Sequence, residues 1–274
     1  LPLAMFYLKK PRLDIVNTAL VALVPAVLFV FIRYQVLGGM EIQESNSLMN
    51  NPFVGMETGE RYATILLTWI WYLRLLIIPH PLTYDYYPYH VPATGWESIY
   101  PWITIVMVLA LLYFALRSLA KRQFYGYWIW FFAGTFLLMS NLFFSIGTFM
   151  NERFMFMPSL AFCVALGYGI HWLIQNELYR KIGLAALVVI SIGYSVKAID
   201  RNFNWKNDFV LFTHDVKISK NSAKGNCVAG GQLYEKAIET QNKNRRKEML
   251  QQARQYLKKA TTIHPTYNDA HLLY

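Results

Sequence analysis

The sequence predicts an all-α protein in two parts: a polytopic membrane helix bundle over residues 1–200, and a helical hairpin over residues 221–274. A linker at 201–220 joins them. Three observations carry this reading. Of the 274 residues, 55% are hydrophobic and only 15% charged, against about a quarter charged in ordinary soluble domains. The apolar residues fall in runs long enough to cross a bilayer, separated by short loops rich in Lys and Arg. Near residue 200 the character changes: residues 197–274 hold 14 Lys and Arg against 7 Asp and Glu, which is +7 of the formal +10.

Residues 13–34 are apolar, entered by Lys9, Lys10 and Arg12, with Pro25 as an expected kink. A polar, acidic, Asn-rich loop covers 38–59. Residues 62–78 are apolar but short, carry Arg74, and are aromatic at Trp69, Trp71 and Tyr72. The turn-rich segment 80–90 follows Pro79 and is crowded with Tyr, as at the headgroup level of a membrane. Pro101, suited to a first helical turn, opens a span to residue 116. Further spans are expected over 127–149, with Ser140 and Asn141 near its middle bonding between helices, over 154–174, and over 182–199.

Charge decides how many of these cross. Short cytoplasmic loops collect Lys and Arg. If 62–78 stays out, there are five spans, and Lys9/Lys10/Arg12, Arg117/Lys121/Arg122 and Arg180/Lys181 share one side. If 62–78 crosses, that grouping breaks. The expectation is therefore about five spans plus one interfacial or re-entrant helix at 62–78. The loop 38–100, the Glu152–Arg153 turn and the tail then lie together on the non-cytoplasmic face.

The tail carries Gly231 and Tyr234, then Ala253, Leu257, Ala260 and Pro265, which follows the helix–turn–helix pattern of a tetratricopeptide repeat. The gap from Gly231 to Ala253 is longer than the standard unit by about ten residues, expected in the turn 241–247. An ordinary amphipathic hairpin fits the same residues. Pro265 to Ala270 reads as the opening of a second repeat. The tail's basic charges are scattered among Gln and Asn along helical periods, the pattern of a solvated helix surface, so no nucleic-acid partner is expected. Cys163 and Cys227 have neither a pairing nor a metal-ligand spacing and read as packing residues. The start shows no signal segment, and the chain reads as an excerpt of a longer protein.

Glu152 and Arg153 stand between two apolar runs. A charge at a span centre costs about 2.5–3.5 kcal/mol on insertion scales, so such groups usually face a wet cavity or another charge. The pair is a candidate site; a buried ion pair or helix-end charges at the interface is the plainer reading.

With these residues in view, the chain resembles the transmembrane and tetratricopeptide repeat-containing (TMTC) family of protein O-mannosyltransferases, within the polytopic lipid-phosphate-sugar-dependent (GT-C) class. The matching pieces are Asn51-Pro52 followed by Arg61, the Trp-rich segment 69–78 ending in Pro79, and Asp85. Glu152-Arg153 through Pro158-Ser159 also match, as do Trp205, Asp208 and Leu211-Phe212, and the opening Asn221-Ser222-Ala223-Lys224. The resemblance implies a membrane glycosyltransferase that moves a sugar (mannose in the family) from a polyprenyl-phosphate donor to Ser or Thr of proteins on the non-cytoplasmic face. The helical arm would meet the protein acceptor or partner, and membrane lipids and the lipid-linked sugar would be the other partners. The family's first external loop, with its acidic catalytic residues, has no counterpart here, so the catalytic residues are expected upstream.

Such chemistry needs a carboxylate for the acceptor hydroxyl, cations for the departing phosphate and a groove for the lipid tail. Arg153 is the first choice for the phosphate, because a guanidinium binds its oxygens bidentately. Glu152 would orient Arg153 or reach a hydroxyl. Arg74 and Arg61 are candidates for the same cavity, with snorkelling interface residues as the alternative. Asp85 and His80 complete the substrate-binding set, although a lone His among prolines also reads as a turn residue. No metal signature, cofactor motif, phosphate-binding glycine loop or nucleophile elbow is present. Two rivals remain open. One is a non-enzymatic anchor presenting repeats, and the other is a lipid-linked polysaccharide or lipid-A transferase. The bacterial inner membrane and the endoplasmic reticulum both fit, and the lack of N-glycosylation sequons favours the former.

Overall fold

A computed structural model describes residues 1–37, 47–87 and 89–274; the segment 38–46 of the expected acidic loop, and Pro88, lie outside the described residues. All regular structure among the described residues is helical. The elements are α1 (Pro2–Tyr7), α2 (Arg12–Leu37), α3 (Thr58–Ile77), α4 (Ile99–Lys121), α5 (Tyr125–Leu137), a 3-10 turn (Glu152–Met155), α6 (Phe156–Gln175), α7 (Arg180–Asn204), α8 (Asp208–Asp215), α9 (Ala223–Glu239), α10 (Lys243–Ile263) and α11 (Asn268–Leu273). Among the described residues, four helical stretches are long and apolar enough to cross a membrane: Arg12–Val36, Ile99–Lys121, Glu152–Gln175 and Arg180–Asn204. The protein is an integral membrane helix bundle.

The fifth expected span, 127–149, is built differently. Helix α5 has 13 residues, about 20 Å at 1.5 Å each against a hydrocarbon core of about 30 Å. The chain then runs irregularly to Asn151. Asn141 takes a left-handed φ of 60°. Its amide donates to the carbonyls of Thr148 (2.9 Å) and Phe149 (3.0 Å), and its oxygen accepts from the Ile146 N–H (2.9 Å). Ser140 Oγ donates back to the Leu137 carbonyl. These two polar residues therefore close a loop of their own chain instead of bonding between helices, because a short Asn side chain offers the backbone an alternative to the helix ladder.

That loop packs under α3, which carries seven buried residues from Ala63 to Tyr72 and is the centre of the core. Phe53, Ile65, Trp69, Tyr72, Phe136, Phe149 and Met150 form one buried cluster. Asn51, from the Asn-Pro motif, ties two irregular segments of it together by accepting from the Phe53 N–H and from Ser145 Oγ. Tyr72, 2% exposed, accepts through its hydroxyl from the Asn151 N–H at 2.8 Å. Helix α4 starts beside α3, where Thr104 Oγ1 donates to the Leu66 carbonyl at 2.8 Å. Helix α5 ends beside α3, with Phe136 edge-on to Trp69 and Tyr72.

The α4–α5 turn therefore lies at the end of the bundle away from α3. Here Tyr7 and Ser118 share a hydrogen bond of 2.8 Å, and the Arg122 guanidinium sits 4.8 Å from the Phe6 ring. Gly126 allows the turn, since a Cβ there would meet Ser118 Oγ at 1.8 Å. Helices α6 and α7 begin and end at the α3 end, so their turn at Arg180 is also at the far end. The three basic groups Lys9/Lys10/Arg12, Arg117/Lys121/Arg122 and Arg180/Lys181 thus lie at the end of the bundle away from the Glu152 turn.

The hairpin α9–α10 follows the linker. A Cβ on Gly230 would come within 2.7 Å of Leu257 Cγ, so the glycine permits the close helix approach. Met249, Ala253, Leu257 and Ala260 form the buried face of α10. The extra length is not in the turn 241–247. Asn242 caps α10 by accepting from the Asn244 and Arg245 N–H groups, and the Lys- and Arg-rich residues after it extend the helix.

Candidate functional site

The linker is not a loose tether. At its start, in the last turn of α7, Arg201 is 8% exposed and forks onto Asp215 of α8, Nη1 to Oδ1 and Nη2 to Oδ2, both at 2.7 Å. Asp215 also accepts the Tyr84 N–H at 2.7 Å and pairs with His214 Nδ1 at 2.8 Å. Burial alone would raise this carboxyl, yet the Arg201 fork, His214 and the Tyr84 N–H hold it below the usual carboxylate range. Trp205 stacks its ring 5.6 Å from the Arg201 guanidinium, and Phe212 lies 4.7 Å from the Tyr84 ring.

Asp85 is the second knot. It is 2% exposed. Oδ1 accepts the Tyr87 N–H at 3.0 Å, and Oδ2 accepts the Ser222 hydroxyl. Ser222 is itself the N-cap of α9, accepting the Gly225 N–H at 2.9 Å. Desolvation raises the Asp85 carboxyl above its ordinary value, against the pull of those hydrogen bonds and of Lys224. The backbone adds a direct bond, Tyr89 N–H to the Asn221 carbonyl at 2.9 Å.

Glu152 is the third. Its Oε1 accepts the Thr83 N–H at 2.6 Å and the Tyr86 hydroxyl at 2.8 Å. Its partner is therefore the 83–86 loop and not Arg153. Arg153 is exposed; its N–H bonds the Asn151 side chain, and its guanidinium lies 5.3 Å from the Phe154 ring.

Of the six candidate residues, the structure brings Asp85 and Glu152 into one polar junction with Arg153 at its rim. Arg74 and His80 are exposed, at the end of α3 and just beyond it. Arg61 is half-buried with its guanidinium 5.4 Å from the Phe53 ring, in the first turn of α3. Two surface hollows, of about 360 and 420 Å³, are lined by Lys243–Arg254 residues and by Phe114–Ile129 residues, and touch none of the six. Among the described residues, no group of three His, Cys, Asp or Glu is placed to hold a metal ion.

Sequence reasoning missed Arg201, Asp215 and Ser222 as members of this junction. For Arg201 and Asp215 the only signal was an Arg in the last turn of an apolar helix with an Asp fourteen residues on; Ser222 was legible only as part of the Asn221–Lys224 motif, and nothing in the spacing says that the three meet in one junction.

The chain is 29% identical over 108 residues to protein O-mannosyl-transferase TMTC3 of Homo sapiens, a match covering 38% of this chain and 12% of that protein. It is 28% identical over 142 residues to protein O-mannosyl-transferase Tmtc2 of Drosophila melanogaster, covering 52% and 14%. With protein O-mannosyl-transferase TMTC4 of Homo sapiens it shares 28% over 176 residues, covering 61% and 23%. The chain thus spans less than a quarter of the length of these relatives. No family model and no solved structure matches it. The resemblance carried by its short motifs extends to alignments over 38% to 61% of the chain, and it is in the TMTC protein O-mannosyl-transferases that the chain finds its similarity.

Proposed function

We propose that this chain is the membrane and arm-bearing part of a glycosyltransferase that moves a sugar from a polyprenyl phosphate to Ser or Thr hydroxyls of proteins on the non-cytoplasmic face. The observation that carries this reading is the match to relatives named protein O-mannosyl-transferases. The geometry supports it. An exposed guanidinium, Arg153, stands at the end of the bundle opposite the basic turns, beside an arm held against the bundle by Arg201–Asp215 and Asp85–Ser222.

Arg153 binds the donor phosphate and stabilises the charge that grows on it as the sugar leaves. Glu152 and Asp85 are positioning residues. Their oxygens are already occupied by donors of the 83–87 loop and of α9, so they hold that loop and the arm beside Arg153. The arm, a tetratricopeptide-type hairpin, presents protein acceptors to the site.

Sugar transfer and thermal stability of the intact protein, carrying Arg153→Lys or Arg153→Ala together with the segments expected upstream, test the assignment. Lysine keeps the charge but loses the bidentate fork. Losing a positioned transition-state donor lowers rate about 10²–10³-fold, so both variants transfer poorly while melting like the parent. A fully active Arg153→Lys protein overturns the assignment.

A further inference from the structure

The end of the bundle away from Glu152 carries the hollow of about 420 Å³, which sugar transfer at Arg153 does not use. Phe114 and Arg117 of α4, Gln123 of the turn, and Tyr125 and Ile129 of α5 line it. Its shape follows from how the two helices meet. Ala115 and Ser118, 2% and 0% exposed, are the buried face of α4 here, and Gly126 lets α5 close on Ser118. Each residue turns a helix by about 100°, so Phe114 and Arg117 stand on one flank of that contact, three residues apart. Tyr125 and Ile129, four residues apart, share a flank of α5. The turn closes one end: Arg122 takes a left-handed φ of 46°, and the Gln123 N–H donates to the Ser118 carbonyl at 3.1 Å.

Polarity is graded along the hollow. Helix α4 runs toward the turn and α5 runs away from it. At 1.5 Å per residue, Phe114 lies about 10 Å short of the end of α4 and Arg117 about 6 Å, while Ile129 lies about 6 Å beyond Tyr125, the first residue of α5. The mouth therefore carries a guanidinium, an amide and a phenol, and the floor is Phe114 and Ile129. Arg117 is exposed, and among the described residues it has no ion pair, side-chain hydrogen bond or ring partner. Arg122 of the same turn is engaged, with its guanidinium 4.8 Å from the Phe6 ring.

We infer that this hollow binds an anionic phospholipid, its phosphate held by Arg117 and Gln123 and an acyl chain laid along Phe114 and Ile129. The position selects a lipid: α4 is a membrane-crossing helix and the hollow flanks its end, where headgroups lie. The grading selects an amphiphile oriented as bilayer lipids are, with its charge toward the turn and its chain toward the middle of the span. A guanidinium fork matches phosphate oxygens, and basic pockets between membrane helices suit anionic headgroups. A choline headgroup would set its own cation near Lys121 and Arg117, which favours an anionic lipid over a zwitterionic one. The site stands at the opposite end of the bundle from Arg153 and does not depend on the role given to that residue.

The test titrates the full chain, stripped of lipid in detergent, with phosphatidylglycerol, and separately with phosphatidylcholine, diacylglycerol and inorganic phosphate. Native mass spectrometry reads the lipid bound per chain. Phosphatidylglycerol binds more tightly than the other three. A charge-assisted contact is worth about tenfold or more in affinity, so Arg117→Gln weakens phosphatidylglycerol by about that factor while melting of the lipid-free protein is unchanged. Arg117→Lys, which keeps the charge without the fork, loses less. Lys121→Gln removes the same charge from the same turn but outside the hollow, and leaves binding nearly unchanged. Equal losses in Arg117→Gln and Lys121→Gln would mean diffuse attraction of a basic surface and overturn the site. So would phosphatidylglycerol binding that survives Arg117→Gln intact. Displacement of the lipid by millimolar inorganic phosphate would mark a site for the free ion and overturn the phospholipid.

Discussion

The Arg201–Asp215 fork makes the sharpest stability prediction. Arg201→Met keeps the length of the side chain and removes the two donors that reach Asp215, a carboxylate whose side chain is fully buried. Asp215 then retains only the Tyr84 N–H and His214. Two hydrogen bonds to a charged group are worth about 1.5–3 kcal/mol each, and breaking one side of a buried ion pair costs about 3–5 kcal/mol. The two routes agree on about 3–5 kcal/mol. At about 2–4 °C per kcal/mol, as for domains of 150–250 residues, melting should fall by about 6 °C or more. Trypsin should cut faster at Lys206, Lys217 and Lys220 as the linker comes away. The companion variant, Arg201→Met with Asp215→Leu, should recover most of the loss, because no charge is left stranded. Acid provides an independent check with a defined sign. Asp215 is held below its ordinary value when folded, so its contribution is full above the unfolded carboxylate range and is lost as pH falls through the folded value. Asp215→Asn should flatten that acid limb. A single Arg201→Met protein that melts with the parent and resists trypsin equally would refute the reasoning.

Two further outcomes follow from the same geometry. Asp85→Ala strands the Ser222 hydroxyl and the Tyr87 N–H, costs about 2–3 kcal/mol, and frays the start of α9, read as faster amide exchange over residues 222–227; Asp85→Asn, which keeps acceptor oxygen, should lose less. A reporter active only in the cytoplasm, fused after Asp208, should be silent, since the basic turns gather at the opposite end of the bundle; a bright signal there would overturn the sidedness.

The fold class was decided by local composition. Apolar runs of span length, three clusters of Lys and Arg at the turns between them, and an amphipathic tail with Gly231, Ala253, Leu257 and Ala260 in order are properties of neighbouring residues, and helices are made of neighbouring residues. The same logic failed over 127–149, where hydropathy stays high past the point at which Asn141 takes the backbone out of the helix. Side-chain competition for the backbone is invisible to an average over a window. It also misplaced the surplus length of the hairpin, which the Asn242 cap turns into helix. The site shows the limit most clearly. Glu152 stood out because an ion near lipid is expensive and Asp85 because it matches an acidic position of the resemblance, but their partners are Thr83, Tyr86 and Ser222, up to 137 residues away. Only the packing of α3 against the 138–151 loop, and of α8 and α9 on that end of the bundle, brings them together. Burial then settles their roles, because a carboxylate shut away from water must take its hydrogen bonds from whatever donors the fold supplies.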